Sequence, residues 1–441
     1  MTPSDSVPSR PKHTGIRNFV KHHGSTLVGQ SLYIGLGALA GILSARLLGP
    51  VGRGELQAIT LWPTVIAYLL CLGISQAIAF NVGRRAFTVS EIMTASAALG
   101  VMQSILAIVV GLVVVHFALA KYSPHVRYLG AIFVLFTPAY LLGGYPQGLA
   151  QGLQSLRIFN LIRVAGPLAY FAGLVALLFL NRGSLDLVVA AQAVSWLVGL
   201  AVGLGWVWRV VQPRVRWNAT AIPRMIGYGY KTQATGLATY FNQRIDQLIL
   251  VLLVPPRQVG LYVVAVTLST AVTVFPQAAG IVTFSRGANQ SSEDAKATIG
   301  NSFRASLIWL LVTCGAIYVL APFLIHLVVG PAFDGSILAC RILLPGALMI
   351  GLNQVLYNGA YALGRPGLPS FAEGMSMAVT AVGLYLLVPH YGYVGAAAVS
   401  TVAYTVSFLV MLGLANRKLG IGLGVLFLGR RRPAEAETPS V

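Results

Sequence analysis

Long apolar runs separated by short polar breaks make up almost the whole chain. An α-helix needs roughly 20 apolar residues to cross a hydrocarbon core about 30 Å thick. Windows of that kind recur near 25–49, 58–82, 92–118, 128–150, 158–180, 185–209, 225–254, 258–285, 305–329, 342–364, 367–389 and 393–416. The pattern predicts about twelve membrane-spanning helices. The polar breaks between them leave few residues for anything outside the membrane. The fold class that follows is an all-α polytopic membrane protein.

Composition agrees with the pattern. Of 441 residues, 56% are hydrophobic and 9% charged, against roughly 25% charged in a soluble domain. The net charge of +19, from 30 Lys+Arg and 11 Asp+Glu, invites a nucleic-acid reading that its distribution rejects. With the N-terminus inside, about 21 of the cations fall on the cytoplasmic side and about six outside, as the positive-inside rule expects. The densest clusters are Arg10/Lys12/Arg17/Lys21, Arg209/Arg214/Arg216/Arg224 and Arg417/Lys418/Arg430/Arg431/Arg432. This places both termini in the cytoplasm and the protein, multi-pass, in the cytoplasmic membrane. The first apolar stretch is too long for a signal-peptide core and no small-residue cleavage site follows, so it reads as a retained first helix. Cys71, Cys314 and Cys340 lie far apart and form neither a disulfide framework nor a metal site. His13, His22 and His23 sit in a basic tail. No metal, cofactor or nucleic-acid partner is expected.

The most basic loop, "VWRVVQPRVRWNATAIPR", lies mid-chain and divides it. The expected organisation is a cytoplasmic basic tail (1–24), an N-terminal six-helix lobe (25–209), a basic cytoplasmic linker (210–224), a C-terminal six-helix lobe (225–416) and a cytoplasmic tail (417–441). "PAYLLGGYPQGLAQG" from Pro138 and "PGALMIGLNQVLYNG" from Pro345 align at an offset of 207 residues, and Ala58/Ala265, Thr60/Thr267 and Leu61/Leu268 coincide at the same offset. A glycine, Gly54 or Gly260, stands just before each of the latter. Two matches at one offset indicate two parallel six-helix repeats, which leave a central cavity where transporter substrates bind. Gln147 and Gln354 occupy matching positions of the repeats, facing such a cavity or serving as interhelical glue.

Three cations, Arg46, Lys231 and Arg244, fall within or at the edges of predicted spans. The stretch "YFNQRIDQLILVLLVPPRQVGLY" (240–262) carries Asn242, Gln243, Arg244, Asp246 and Gln247 directly before an apolar run. At 100° per residue Lys231, Asn242 and Asp246 share one helix face, and Arg244 lies about 200° from Asp246. The two are therefore no simple local ion pair, and a helix polar on two sides cannot face lipid. Burying an ionisable side chain at mid-membrane costs at least about 2.5 kcal/mol, so the default reading is functional; the alternative is that the span starts later and the charges snorkel. Glu373, inside the eleventh span, is a further acid that could titrate or pair with a loop arginine. Arg46 precedes "LLGP" at the outer end of the first span, where capping or snorkelling explains it as well as a ligand.

At "SARLLGPVGRGELQAITL" (44–61) the chain resembles the Wzx-type polysaccharide transporters, the oligosaccharide flippases of the multidrug/oligosaccharidyl-lipid/polysaccharide exporter superfamily. "NQRIDQLILVLLVPPRQVGLYVVAVTL" (242–268) is similar to that family's seventh helix. The resemblance implies two lobes alternating access around a cationic cavity, translocating a polyprenyl-pyrophosphate-linked oligosaccharide without covalent catalysis. On that reading Arg244, Asn242, Lys231, Arg46, Gln147 and Gln354 are candidates for the substrate, and Asp246 and Glu373 for H+ or Na+ coupling. The partners implied are the lipid-linked oligosaccharide, membrane lipids, and a polysaccharide polymerase with other assembly proteins. The alternatives are a multidrug-type antiporter of the same superfamily, a polymerase or glycosyltransferase, and a non-transporting scaffold. Few intramembrane acids argue against a cationic substrate, and short outer loops without paired carboxylates or a nucleophile–base pair argue against an enzyme.

Overall fold

A helix of 55 residues would be about 80 Å long, more than twice the thickness of a hydrocarbon core, so the first helix must turn back on itself. In the computed structural model, which describes residues 16–212, 214–287 and 290–429 and side chains from residue 29 onward save those of 31 and 235, it does. Helix α1 (Ile16–Leu70) breaks at Gly49, whose φ of 67° and ψ of −180° interrupt the helical backbone just before Pro50. Only glycine adopts that conformation without steric cost. The basic tail before residue 16, His13 included, and the chain from 430 onward lie outside the described residues.

The rest is helical, with no strand among the described residues. Helices α2 (Ile74–Gly83), α3 (Val89–Ala118), α4 (Pro124–Val134), α5 (Thr137–Gly152), α6 (Leu156–Phe179) and α7 (Leu185–Trp206) complete the first half. Helices α8 (Ala221–Asn242), α9 (Ile245–Leu253), α10 (Pro256–Thr270), α11 (Val274–Gly287), α12 (Ser292–Val328), α13 (Gly335–Ala362) and α14 (Gly367–Lys418) form the second. Side chains cap several of these helices where the sequence supplies Ser or Thr. Thr88 and Glu91 make a reciprocal capping box on α3, and the Ser184 and Ser291 hydroxyls accept from the backbone N–H of Leu187 and Asp294, satisfying donors that an isolated helix start leaves open.

Nine stretches among the described residues are long and apolar enough to cross a membrane. Two of them contain a break, at Gly49 and at Gly392 (φ 55°), and α8 with α9, outside the nine, covers the apolar window at 225–254. Nine stretches with those three additions are consistent with the twelve expected from the apolar windows. One expected span is altered. The window at 225–254 is not one helix: it is interrupted at Gln243 and Arg244, between α8 and α9.

The two halves cross reciprocally. A Cβ on Gly54 would stand 1.8 Å from the Pro256 carbonyl oxygen, and one on Gly260 would stand 1.9 Å from that of Pro50. Pro50 and Gly54 of one repeat thus meet Pro256 and Gly260 of the other in a self-complementary contact, one residue short of the 207 offset. Such exchange of equivalent partners is what a pseudo-two-fold axis along the membrane normal produces. Around it a single buried cluster takes in residues of both halves, among them Leu56, Ile59, Phe133, Leu250, Tyr262 and Val263. Towards the other end the halves meet again: the Cβ of a residue replacing Gly73 would lie 2.2 Å from the Gly229 carbonyl oxygen, and Phe80 stacks on Tyr228 at 4.0 Å between ring centres.

Because the crossing is backbone against backbone, no side-chain rotation can relieve an added methyl. Gly54→Ala or Gly260→Ala is expected to cost about 1–3 kcal/mol, as overpacking does, and to lower the thermal unfolding midpoint in detergent. Gly315→Ala in α12, where an added Cβ meets nothing within 4 Å, is expected to leave that midpoint unchanged.

Candidate functional site

Helices α1, α5, α6 and α7 enclose a cavity of about 660 Å³ in the first half, within the range of ligand sites. The second limb of α1 runs along it from Arg53 to Cys71. Arg53, Gln57, Thr60 and Thr64 recur at i, i+4, i+7 and i+11, a polar stripe along a limb whose other charged residue is Glu55. The first three of these line the cavity. Arg163 of α6 is the cavity's other cation and lies over the Tyr33 ring, 4.8 Å from its centre. No Asp or Glu lines the cavity.

Arg53 is the group whose surroundings are least complete. It is only 9% exposed, and one guanidinium nitrogen donates a long bond of 3.4 Å to Gln57 Oε1. Its Nε is buried and finds no hydrogen-bond partner among the described residues. It makes no ion pair among the described residues. A buried guanidinium with an open donor, in a cavity without carboxylates, has the chemistry to receive an anion able to accept a fork of N–H bonds.

The second half treats its charges differently. Asp246 of α9 is buried; its carboxylate accepts from the Tyr262 hydroxyl, from Ser400 Oγ at 3.4 Å, and from the backbone N–H of Gln247 at 2.7 Å. Glu373 of α14 accepts from Asn242 Nδ2 at 2.6 Å and from the Tyr357 hydroxyl at 2.7 Å. Asn242 also donates to Ser376 Oγ at 3.0 Å and accepts from Thr380 at 3.1 Å. Ser407 joins Tyr357, 2.7 Å away, to Asn353, whose Nδ2 donates to it at 3.2 Å. Every one of these hydrogen-bond donors is neutral. The loop arginine considered as a partner for Glu373 is not among its partners; an asparagine and a tyrosine hold it instead.

The residues singled out from the sequence separate accordingly. Gln147 lines the cavity of the first half. Its counterpart Gln354 does not; it sits in α13, where its main-chain carbonyl accepts from Asn358 at 2.7 Å. Asn242, expected at the substrate, is buried in the Glu373 network. Arg244 is exposed at the break before α9, Lys231 is exposed on α8, and Arg46 is exposed three residues before Gly49; none lines the cavity. Asn242 and Asp246 do share one side of the interrupted helix, both turned to α14, with Arg244 on another. Among the described residues no group of three metal-binding side chains converges, and the three cysteines are free.

Arg53 and Arg163 were missed for different reasons. Arg53 lies within the stretch read as a link between helices, and the break at Gly49 starts the second limb at Pro50, well before the apolar window at 58. Arg163 falls inside the window at 158–180 but was counted with the cytoplasmic cations. The signal was present in each case: a polar stripe beginning at Arg53, and a cation followed at i+7 by Tyr170.

An all-α bundle of this topology, built from helices long and apolar enough to cross a membrane, is the architecture of a multi-pass membrane protein. It superposes on the lipid II flippase MurJ in an inward closed conformation with a TM-score of 0.74, at 11% identity, over 92% of this chain and 90% of that one. It superposes on a multidrug resistance MATE family transporter of the MOP superfamily, in its inward-facing conformation, with a TM-score of 0.73, at 12% identity, over 89% and 94%. These likenesses are of fold. In sequence, residues 19–284, more than half of the chain, match the family described as polysaccharide biosynthesis protein, and the chain belongs to that family. A similar relative is the probable low-salt glycan biosynthesis flippase Agl15 of Haloferax volcanii, 22% identical over 218 residues. The match takes in 48% of this chain and 46% of that protein, about half the length of either.

The Glu373 network carries a stability expectation. Asn242→Leu removes a donor shared by Glu373 and Ser376 and leaves the buried Glu373 Oε2 without its hydrogen bond, at a cost of about 1–3 kcal/mol; the thermal midpoint is expected to fall. Lys231→Ala and Arg46→Ala, at exposed positions, are expected to unfold with the wild type.

Proposed function

We propose that this protein is a flippase that carries a polyprenyl-pyrophosphate-linked oligosaccharide across the cytoplasmic membrane by alternating access. The observation that carries the reading is Arg53: a buried guanidinium with an unpartnered Nε, facing an acid-free cavity, in a chain of the polysaccharide biosynthesis family. A pyrophosphate and its sugars cannot cross hydrocarbon unaided, and two arginines in a low-dielectric cavity offset the lost hydration of the phosphates. Arg53 and Arg163 take the phosphates. Gln147, with its amide, and the tyrosines at the cavity serve the first sugars. Arg244, Lys231 and Arg46 then attract the anionic head group from outside the cavity rather than hold it, and Gln354 has a packing role.

Asp246 and Glu373 are the groups for H+ or Na+ coupling on this reading, since they are the carboxylates buried among neutral donors in the second half. The charge distribution of the loops supports both termini lying in the cytoplasm. A repeat-unit polymerase and other assembly proteins, acting on the outer leaflet, would consume what this protein delivers. The protein itself performs no covalent step.

The fold shared with multidrug transporters favours one other reading, cation-coupled export of a soluble compound. Against a cationic cargo stand two guanidiniums and no carboxylate at the cavity, since like charges in a low dielectric repel.

Proteoliposomes loaded with a fluorescent polyprenyl-pyrophosphate oligosaccharide test the proposal through protection of the label from an external quencher. Wild type is expected to translocate. Loss of a charge-assisted hydrogen bond costs about 1.5–3 kcal/mol, and every 1.4 kcal/mol is tenfold, so Arg53→Ala and Arg163→Ala are expected to slow translocation about tenfold or more. Arg53→Lys, which keeps the charge but loses the planar fork, is expected to fall between. Arg46→Ala and Lys231→Ala should stay within about twofold. Wild type that moves no lipid-linked sugar under any ion gradient, or an Arg53→Ala variant that matches it, would reject the assignment.

A further inference from the structure

Between the arginine of the first half and the carboxylate of the second runs a continuous chain of contacts. Arg53 donates to Gln57 Oε1 at 3.4 Å, and Gln57 Nε2 donates across the halves to Gln247 Oε1 at 2.8 Å. The backbone N–H of Gln247 is itself the donor to Asp246 Oδ1, at 2.7 Å. All four side chains are buried. The cross-half bond lies beside the Gly54/Gly260 crossing, at the end of the bundle where Lys121 and Tyr122 also donate to the Leu252 and Val251 carbonyls.

We infer that Gln57 and Gln247 form an interlobe latch, which holds this end closed and ties occupancy of the anion site at Arg53 to the position of Asp246. They are positioning residues: Gln247 touches neither the cavity nor the carboxylate through its side chain, yet it is the one group bonded towards both. The inference rests on the cavity reading only for the identity of the ligand; the latch itself rests on the Gln57–Gln247 bond.

The physical argument is one of competing acceptors. The Arg53–Gln57 bond is at the long limit of hydrogen-bond geometry. A phosphate oxygen is a stronger acceptor for guanidinium than a neutral amide is. An anion that draws Arg53 into the cavity leaves the Gln57 carbonyl without its donor, and the amide pair loses the alignment that fixes its cross-half bond. Once that bond opens, the N-terminal turn of α9 is released from the first half while its C-terminal end stays bonded to Lys121 and Tyr122, and the carboxylate of Asp246 moves with that turn, because the Gln247 N–H is on it. Linkage makes the effect reciprocal: whatever loosens the latch must tighten anion binding by the same factor. A pathway of contacts is only a pathway if its two ends bias one two-state element, and here that element is closure of this end.

The test uses full-length protein in nanodiscs with Cys71, Cys314 and Cys340 replaced by alanine. Spin labels go at Tyr128 of α4 and Tyr391 beside Gly392, both exposed, for double electron–electron resonance. Without ligand, wild type is expected to give one short interlobe distance, and Gln57→Leu and Gln247→Leu each a longer population, with the double variant no different from either single one. Inorganic pyrophosphate should produce that same longer population in wild type and add nothing in Gln247→Leu. By calorimetry, Gln247→Leu is expected to bind pyrophosphate about threefold more tightly than wild type, although residue 247 does not line the cavity; Gln247→Asn, which is too short to reach Gln57, serves if the leucine variant does not fold. Distances and affinities unchanged in these variants would overturn the latch, as would weaker binding. Wild type that binds no pyrophosphate would remove the anion site, while the ligand-free distances would still decide whether the latch exists.

Discussion

Hydrocarbon solvates no charge, and that constraint orders the whole molecule. Backbone groups must be paired within helices or at their ends, and each ionisable side chain inside must find partners in the protein. The carboxylates of Asp246 and Glu373 have done so, with hydroxyls, amides and a main-chain N–H. Arg53 has done so only in part; beyond its long bond to Gln57 it is buried with an open donor beside a cavity. An ion pair between the two halves would have neutralised both and left nothing for a ligand to do. Keeping the guanidinium on one side of the molecule and the carboxylates on the other, joined by two glutamines, leaves the proposed anion site open while connecting it to a buried carboxylate.

The same separation shows how a duplicated fold comes to hold one cavity. The crossing of Pro50 and Gly54 with Pro256 and Gly260 is symmetric, and the break at Gly49 corresponds to the one before α10. At the offset of that crossing, Arg53 and Gln57 correspond to Val259 and Val263, which are buried in the shared core. The first repeat keeps a polar stripe where the second has valines. One copy of the helix therefore lines a polar space and the other packs, while the contact that aligns them stays common to both.

Much of this architecture was legible in the sequence, because a bilayer makes helix length and apolarity the same signal. The apolar windows located the helices, and the 207-residue offset pointed to the duplication. The candidate site was less legible, for reasons of local geometry. Asn242 and Asp246 could be placed on one face by helical periodicity, but whether that face met a cavity or another helix depended on α14, more than 120 residues away. Arg244 drew attention as a charge in an apolar segment, yet it stands exposed at the helix interruption and does not line the first-half cavity. Arg53 escaped because the apolar window began after it, although its spacing from Gln57 and Thr60 recorded the polar stripe.

The central claim is that Arg53 holds the anionic head group in the first-half cavity. A structure of the wild-type protein with a bound polyprenyl-pyrophosphate oligosaccharide tests it most directly. The account predicts a phosphate oxygen within charge-assisted hydrogen-bond distance of Arg53 Nε, about 2.7–2.9 Å, with Arg163 on the same head group. Phosphates bound instead at Arg244 and Lys231, with Arg53 still bonded to Gln57, would contradict it.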